Sequence, residues 1–168
     1  MPHIFVRGGS SMAMPDWVRY YPNITTSLSV APPSGGWSAM TIAAIYNSGH
    51  TDRQIIGSEN WILLEQKGFN IPRAAAGNGS SFFPWFLEKD GVNQARNQLI
   101  VSRTLAGAWA SLNGVTASVS GRTESPVTAN VTVRSDIAQL KAVAVWNRAL
   151  TPDEQTAALA WLNAQAPA

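Results

Sequence analysis

The stretch LKAVAVWNRALTPDEQTAALAWLN, residues 140–163, decides how this chain is read. The apolar run from Leu140 to Trp146 has the composition of a buried strand. Beyond Asn147 and Arg148, Thr151, Pro152 and Glu154 stand at the N-cap, first and third positions of a helix. That spacing is a capping box with proline where its missing N–H costs nothing. Such a cap contributes about 1 kcal/mol, which matters for a helix too short to persist alone. Ala158, Trp161 and Leu162 fall on one face, so the helix must lie flat against something. A strand followed by one short terminal helix, after a long helix-poor stretch, is an unusual pattern.

Outward from this stretch the pattern is β. Ala108, Ala110 and Leu112 alternate with Trp109 and Ser111. Asn113-Gly114 then turns the chain, and Val115, Ala117 and Val119 continue it. Asn-Gly between alternating runs is a strong hairpin signal, because both residues tolerate positive φ. Residues 24–30 and 127–133 alternate apolar with Thr, Ser or Asn, as half-buried strands do. Residues 37–46 are apolar on both faces and belong centrally in a sheet. Residues 53–57 and 61–65 suggest a hairpin around Ser58-Glu59-Asn60. Residues 70–98 are less regular, with Lys89-Asp90-Gly91 read as a turn. Nine to eleven short strands and one helix predict a two-sheet antiparallel sandwich or a barrel.

The closing segment, the Asn113-Gly114 hairpin, the apolar strand at 37–46 and the hairpin through Trp61 together resemble the LamG-like, concanavalin A-like jelly rolls. That family ends in a strand, an N-R-A-L-(S/T)-x-x-E turn and a short helix. The resemblance covers about residues 37–163. It implies an all-β, two-sheet antiparallel jelly-roll sandwich with one short C-terminal helix. Residues 24–168 would form the sandwich. Residues 1–23 would be an N-terminal arm, either an edge strand with a loop or a docking tether, with Phe5, Met12, Met14, Trp17, Tyr20 and Tyr21 as its sticky side chains.

At 168 residues the chain has the length of one domain. It has no Cys, which excludes disulfides, thiolate metal sites and a Cys nucleophile. The net charge is +2 and the 12 Lys and Arg are scattered, so no footprint for nucleic acid appears. No apolar run is long enough for a signal peptide or a membrane span. These features lead us to expect neither nucleic-acid binding nor membrane insertion.

Catalytic patterns are sparse. Glycoside hydrolysis needs two carboxylates roughly 5–10 Å apart. Only Glu88 and Asp90 have the i, i+2 spacing that puts two acids on one strand face, and they read as a solvated turn. The E-x-D-x-E signature of jelly-roll glucanases is absent. His3 and His50 stand in terminal and turn contexts, and no G-x-S-x-G, H-E-x-x-H or P-loop occurs. Asp52, Glu59, Glu88 and Asp90 form no dense acidic loop for calcium. The expectation is a protein with no catalytic residues, no metal and no cofactor.

Aromatic residues are the unusual component, with 7 Trp in the chain. Trp37, Trp61, Trp109 and Trp146 fall in or beside strand patterns and read as core. Phe82, Phe83, Trp85 and Phe86 surround Pro84 and read as a loop. Such a loop folds back on the core, meets a protein partner, or stacks on sugar faces. Two function classes follow from the resemblance. One is a non-enzymatic bacteriophage virion protein, a minor tail or capsid decoration part. It would be a homo-oligomer bound to other virion proteins and located in the particle. The other is a carbohydrate-binding module that attaches to a host-surface glycan.

Overall fold

The computed structural model describes residues 4–6, 18–22, 27–47, 53–58, 61–68, 71–79, 85–133 and 140–166, with side chains from residue 27 onward except that of Arg53. The described residues form thirteen strands and one helix. These are β1 (Ile4–Val6), β2 (Val18–Pro22), β3 (Leu28–Val30), β4 (Ala39–Asn47), β5 (Arg53–Ser58), β6 (Ile62–Lys67) and β7 (Ile71–Gly77). They continue with β8 (Trp85–Asp90), β9 (Arg96–Thr104), β10 (Ala108–Leu112), β11 (Val115–Val119), β12 (Val131–Val133), β13 (Leu140–Trp146) and α1 (Pro152–Gln165). One sheet has seven strands in the order β1-β2-β13-β4-β9-β10-β11, and the other has six in the order β3-β12-β5-β6-β7-β8. Every pairing is antiparallel. The result is the jelly-roll sandwich that the alternation and the closing segment predict.

Period-two burial builds the main core. Met40, Ile42, Ala44 and Tyr46 of β4 meet Leu64 of β6 and Ala74 and Ala76 of β7 across the inter-sheet space. Trp37 and Trp61 stack there with ring centroids 6.5 Å apart. The alternate residues of the seven-stranded sheet form a second core on its outer face. Ala43, Ile45, Ile100, Ala144 and Trp146 are roofed there by Leu150, Ala158 and Leu162. This is why residues 37–46 are apolar on both faces: one face meets the opposite sheet and the other meets α1. Trp161 packs against this second core as well.

Local chemistry sets the ends of these elements. Asn113 at φ 52° and Gly114 at φ 86° make the left-handed pair that a tight right-twisting hairpin needs. The Thr151 hydroxyl accepts from the Glu154 amide at 3.3 Å, and the Glu154 carboxylate accepts from the Thr151 amide at 2.8 Å. The expected capping box is therefore complete.

Residues 70–98 are more regular than the sequence suggests. They hold β7, β8 and the start of β9, and Lys89 and Asp90 lie in β8 rather than in a turn. The chain turns only at Gly91, where an added Cβ would sit 2.8 Å from the Leu112 Cβ. At the other end of β8, Trp85 and Phe86 lie in the strand rather than in a loop. Of residues 127–133 only the last three are a strand, while Val127 bridges Trp37 in isolation. Within the segment read as an arm, β1 and β2 are the outer two strands of the larger sheet on that side.

Candidate binding groove

The seven-stranded sheet carries one row of side chains that organises its outer face. Register places Trp146, Thr41, Ser102, Trp109 and Ser118 side by side across β13, β4, β9, β10 and β11. The chain leaving β13 passes over this row and is fastened to it. Thr41 and Ser102 share a hydrogen bond of 2.7 Å between their hydroxyls. The Thr41 hydroxyl also donates to the Arg148 carbonyl at 2.9 Å and accepts from the Leu150 amide at 3.0 Å. The Gln155 amide donates to the Ser102 hydroxyl at 2.8 Å and to the Trp109 carbonyl at 3.1 Å. Trp109 completes the latch, its indole N–H donating to the Leu150 carbonyl at 2.5 Å. Thr41, Ser102 and Gln155 are buried, so this network satisfies groups that would otherwise be costly.

Beyond the latch, the helix stops short of the sheet edge and leaves an open groove. Its apolar end encloses about 690 Å³ between Thr104, Ala106, Gly107, Trp109, Val119 and Pro152. Its polar end adds about 520 Å³ beside Ser111, Thr116, Ser118, Asp153, Gln155 and Thr156. Trp109, Ser118 and Pro152 border both ends. Thr116, Ser118 and Ser120 are exposed on alternate positions of β11 and its continuation, so their hydroxyls line one wall. Each volume falls within roughly 300–1,000 Å³, the usual range for small-molecule sites. Among the described residues Asp153 is the single charged one on the lining.

Above the groove the first turn of α1 is held by charge. Arg148 donates to both oxygens of Glu154, at 3.1 and 2.5 Å. The hydrogen bond and charge of Arg148, aided by the Thr151 amide, hold the Glu154 carboxyl below its usual range.

No protein-family model matches the sequence, and no curated protein matches it. Solved structures do share its fold. A Trypanosoma rangeli sialidase superposes with a TM-score of 0.55 at 9% identity, covering 84% of this chain and 27% of the sialidase. The receptor binding domain of botulinum neurotoxin mosaic serotype C/D gives 0.50 at 11% identity, covering 88% of this chain and 46% of that one. A Caenorhabditis elegans galectin gives 0.49 at 14% identity over 76% of this chain and 95% of the galectin. The chain thus spans about a quarter of the sialidase, and the likenesses to the sialidase and the toxin domain establish the fold alone.

The aromatic cluster singled out by sequence divides. Phe82 and Phe83 lie outside the described residues. Phe86 packs against the main core, with the Arg122 guanidinium over its ring at 4.7 Å and that of Arg103 at 5.5 Å. Trp85 is half-buried at the start of β8. Of the arm residues, Met12, Met14 and Trp17 lie outside the described residues. Phe5 lies in β1, and Tyr20 and Tyr21 lie in β2.

Trp109 departs from its sequence reading. Trp37, Trp61 and Trp146 are buried as expected, but Trp109 is half-buried and faces the groove. The usable signal was its partners: β10 puts Ala108, Ala110 and Leu112 inside, so Trp109 must lie on the other face.

Arg103 was not singled out, and it is the buried cation of the main core. Its guanidinium donates to the Gly77 carbonyl at 3.1 and 2.6 Å and lies 4.7 Å from the Trp61 ring centroid. Burial pushes its pKa down to about 10, with Glu124 opposing and Arg122 adding to the fall. It therefore stays charged at neutral pH and ties β9 of one sheet to β7 of the other.

The acids do not converge. Glu65 and Glu88 pair with Arg73 at 2.5 and 3.4 Å, and Glu124 pairs with Arg122 at 2.7 Å. Among the described residues no group of His, Asp and Glu is arranged to hold a metal. His3, His50, Asp52 and Glu59 lie outside the described residues.

Proposed function

We propose that this chain is a non-enzymatic virion protein of a bacteriophage, a minor tail or capsid decoration part whose lectin-like jelly roll serves assembly and host-surface attachment. One contrast carries the reading. Among the described residues Glu65, Glu88, Glu124 and Glu154 are engaged in ion pairs with Arg73, Arg122 and Arg148, and Asp153 is the one carboxylate on the groove lining. The open groove is instead walled by an aromatic ring, hydroxyls and small side chains. Such a surface grips a ligand. It offers no pair of acids to protonate a leaving group and activate water.

The test is particle composition. Phage particles purified by density gradient from a host carrying this gene should contain the protein at fixed stoichiometry by quantitative mass spectrometry. A protein found only as free monomer, absent from the particles, overturns the virion role.

A second reading, a carbohydrate-binding module outside any particle, is favoured by Trp109 itself. An aromatic face beside hydroxyls suits a ring with one apolar and one polar side. Glycan binding by a protein absent from particles would select this second reading.

A further inference from the structure

We infer that the groove between α1 and the β10–β11 hairpin is a saccharide site that takes uncharged sugars, with Trp109 as its platform and the first turn of α1 as its second wall. The inference rests on the attachment role proposed above and adds where the ligand sits and which sugars fit.

The argument starts from how Trp109 is held. Its backbone is paired on both sides, to Ser102 and Ser118. Its indole N–H is committed to the Leu150 carbonyl at 2.5 Å. The ring therefore has one orientation, and what it offers the groove is an apolar face rather than a donor. A flat ring fixed before binding loses little freedom when a ligand stacks on it.

Polar groups stand where a stacked sugar needs them. Thr116, Ser118 and Ser120 are exposed along one side, and Asp153 and Thr156 face them from the helix. Hydroxyl and carboxylate groups in such an array match the ring of hydroxyls around a pyranose, donor to acceptor. Ala106, Gly107 and Pro152 keep the apolar end low and open. At Gly107 an added Cβ would meet the Val119 carbonyl oxygen at 2.2 Å, so that wall admits no side chain.

Charge narrows the ligand class. Among the described residues the lining holds one carboxylate, Asp153, and no Lys or Arg. A sialic or uronic acid would bring its carboxylate into a groove with no cation to receive it, beside a like charge. Unpaired or repelled charges weaken binding. Neutral hexoses and N-acetylhexosamines carry no such penalty.

The site is composite, which sets the choice of variants. Trp109 belongs both to the groove and to the latch that fastens α1, so Trp109→Ala alone could act by loosening the helix. Ser118 is exposed and its side chain makes none of the latch hydrogen bonds, so Ser118→Arg fills the groove while removing none of them. Trp109→Phe keeps a ring face while losing the bond to Leu150.

The experiment titrates the full-length protein with a panel of neutral hexose and N-acetylhexosamine oligosaccharides and their sialylated counterparts, followed by amide and indole NMR shifts. The expected result is binding of one or more neutral glycans with shifts at Trp109, Thr116 and Ser118. Ser118→Arg should lower that affinity at least tenfold, Trp109→Phe should lower it far less, and sialylation should weaken it. Binding with shifts confined to other residues, or unaffected by Ser118→Arg, overturns the groove while leaving attachment intact. Tighter binding of the sialylated forms overturns the charge argument. No binding by any member of the panel overturns the saccharide site, and the particle-composition test then decides the virion role separately.

Discussion

Two aromatic regions of this molecule, the dense run ending in Phe86 and the lone Trp109, serve opposite ends. At the start of β8, Phe86 turns inward and lies between the guanidiniums of Arg103 and Arg122. On β10, Trp109 is fixed by a single N–H bond and keeps its face to an open groove. The difference lies in what surrounds each ring. Phe86 closes over a buried charge that needs covering, and its face is taken up by cations. Trp109 stands over neutral hydroxyls and an amide that satisfy one another, so nothing draws its ring inward. Clusters of aromatic residues therefore say little about exposure until the polar groups beneath them are known.

The contrast breaks most severely at Arg103. This side chain joins the two sheets through the Gly77 carbonyl. Arg103→Ala removes the stem, opens a cavity under Trp61 and Phe86 and leaves that carbonyl unpaired. The expected loss is about 3–4 kcal/mol by chemical denaturation. Arg103→Met keeps most of the volume and removes the desolvated charge, so it should cost at least about 1 kcal/mol less than Ala. Equal losses for both variants would mean that the stem's packing contributes nothing and that the bond to Gly77 carries the whole effect; no measurable loss for Arg103→Met would undo the description of Arg103 as an inter-sheet strut.

How much of this was legible in the sequence depends on whether the signal was local. The capping box at Thr151, Pro152 and Glu154 and the turn at Asn113-Gly114 are fixed by a few adjacent residues and appear where read. The apolar faces of β4 follow from simple alternation. By contrast β9, whose nine residues pair with β4 and β10 inside the larger sheet, carries no such local signal. It contains Arg103 and Ser102 among its apolar residues, and both are polar for tertiary reasons: one bridges the sheets and the other anchors Gln155. Pro84 likewise made Trp85 and Phe86 look like loop, although a strand can begin immediately after a proline. The groove was invisible because its walls come from β10, β11 and α1, and only the fold brings them together. What sequence could offer was parity, since Ala108, Ala110 and Leu112 inside β10 leave Trp109 on the opposite face.

The second prediction sharpens the other half of the comparison. Gln155 is buried and bridges the Ser102 hydroxyl and the Trp109 carbonyl. Gln155→Leu has similar bulk but no donor, leaving both acceptors short of a partner. It should lower stability by about 1–2 kcal/mol and disturb the NMR signals of Trp109 and Leu150 more than those of Phe86. A change spread evenly to Phe86 and Arg103 would show that the two aromatic regions are one cooperative unit rather than two.

The smallest effect expected comes from acid. Glu154 is held below its usual carboxylate range by Arg148, so its folded pKa lies under its unfolded one. The stability it supplies is present above the unfolded value and is lost as pH falls through the folded value. The pair is partly exposed, with side-chain exposures of 41% and 20% for Arg148 and Glu154, so screening by water keeps its worth to at most about 1 kcal/mol. Glu154→Gln should flatten the stability profile between neutral pH and about pH 3 by that amount, and high salt should shrink the difference further. Because this pair secures the first turn of α1, the same acidification should loosen the groove wall at Thr151 and Pro152 before it reaches Arg103. At the inter-sheet contact Arg103 holds Gly77 by its own hydrogen bonds, while Glu124 pairs with Arg122 and acts on Arg103 through charge alone, so amide protection at Gly77 should fall less over that range. An acid-induced loss of protection at Gly77 that precedes the loss at Thr151 would reverse the order in which the two regions yield.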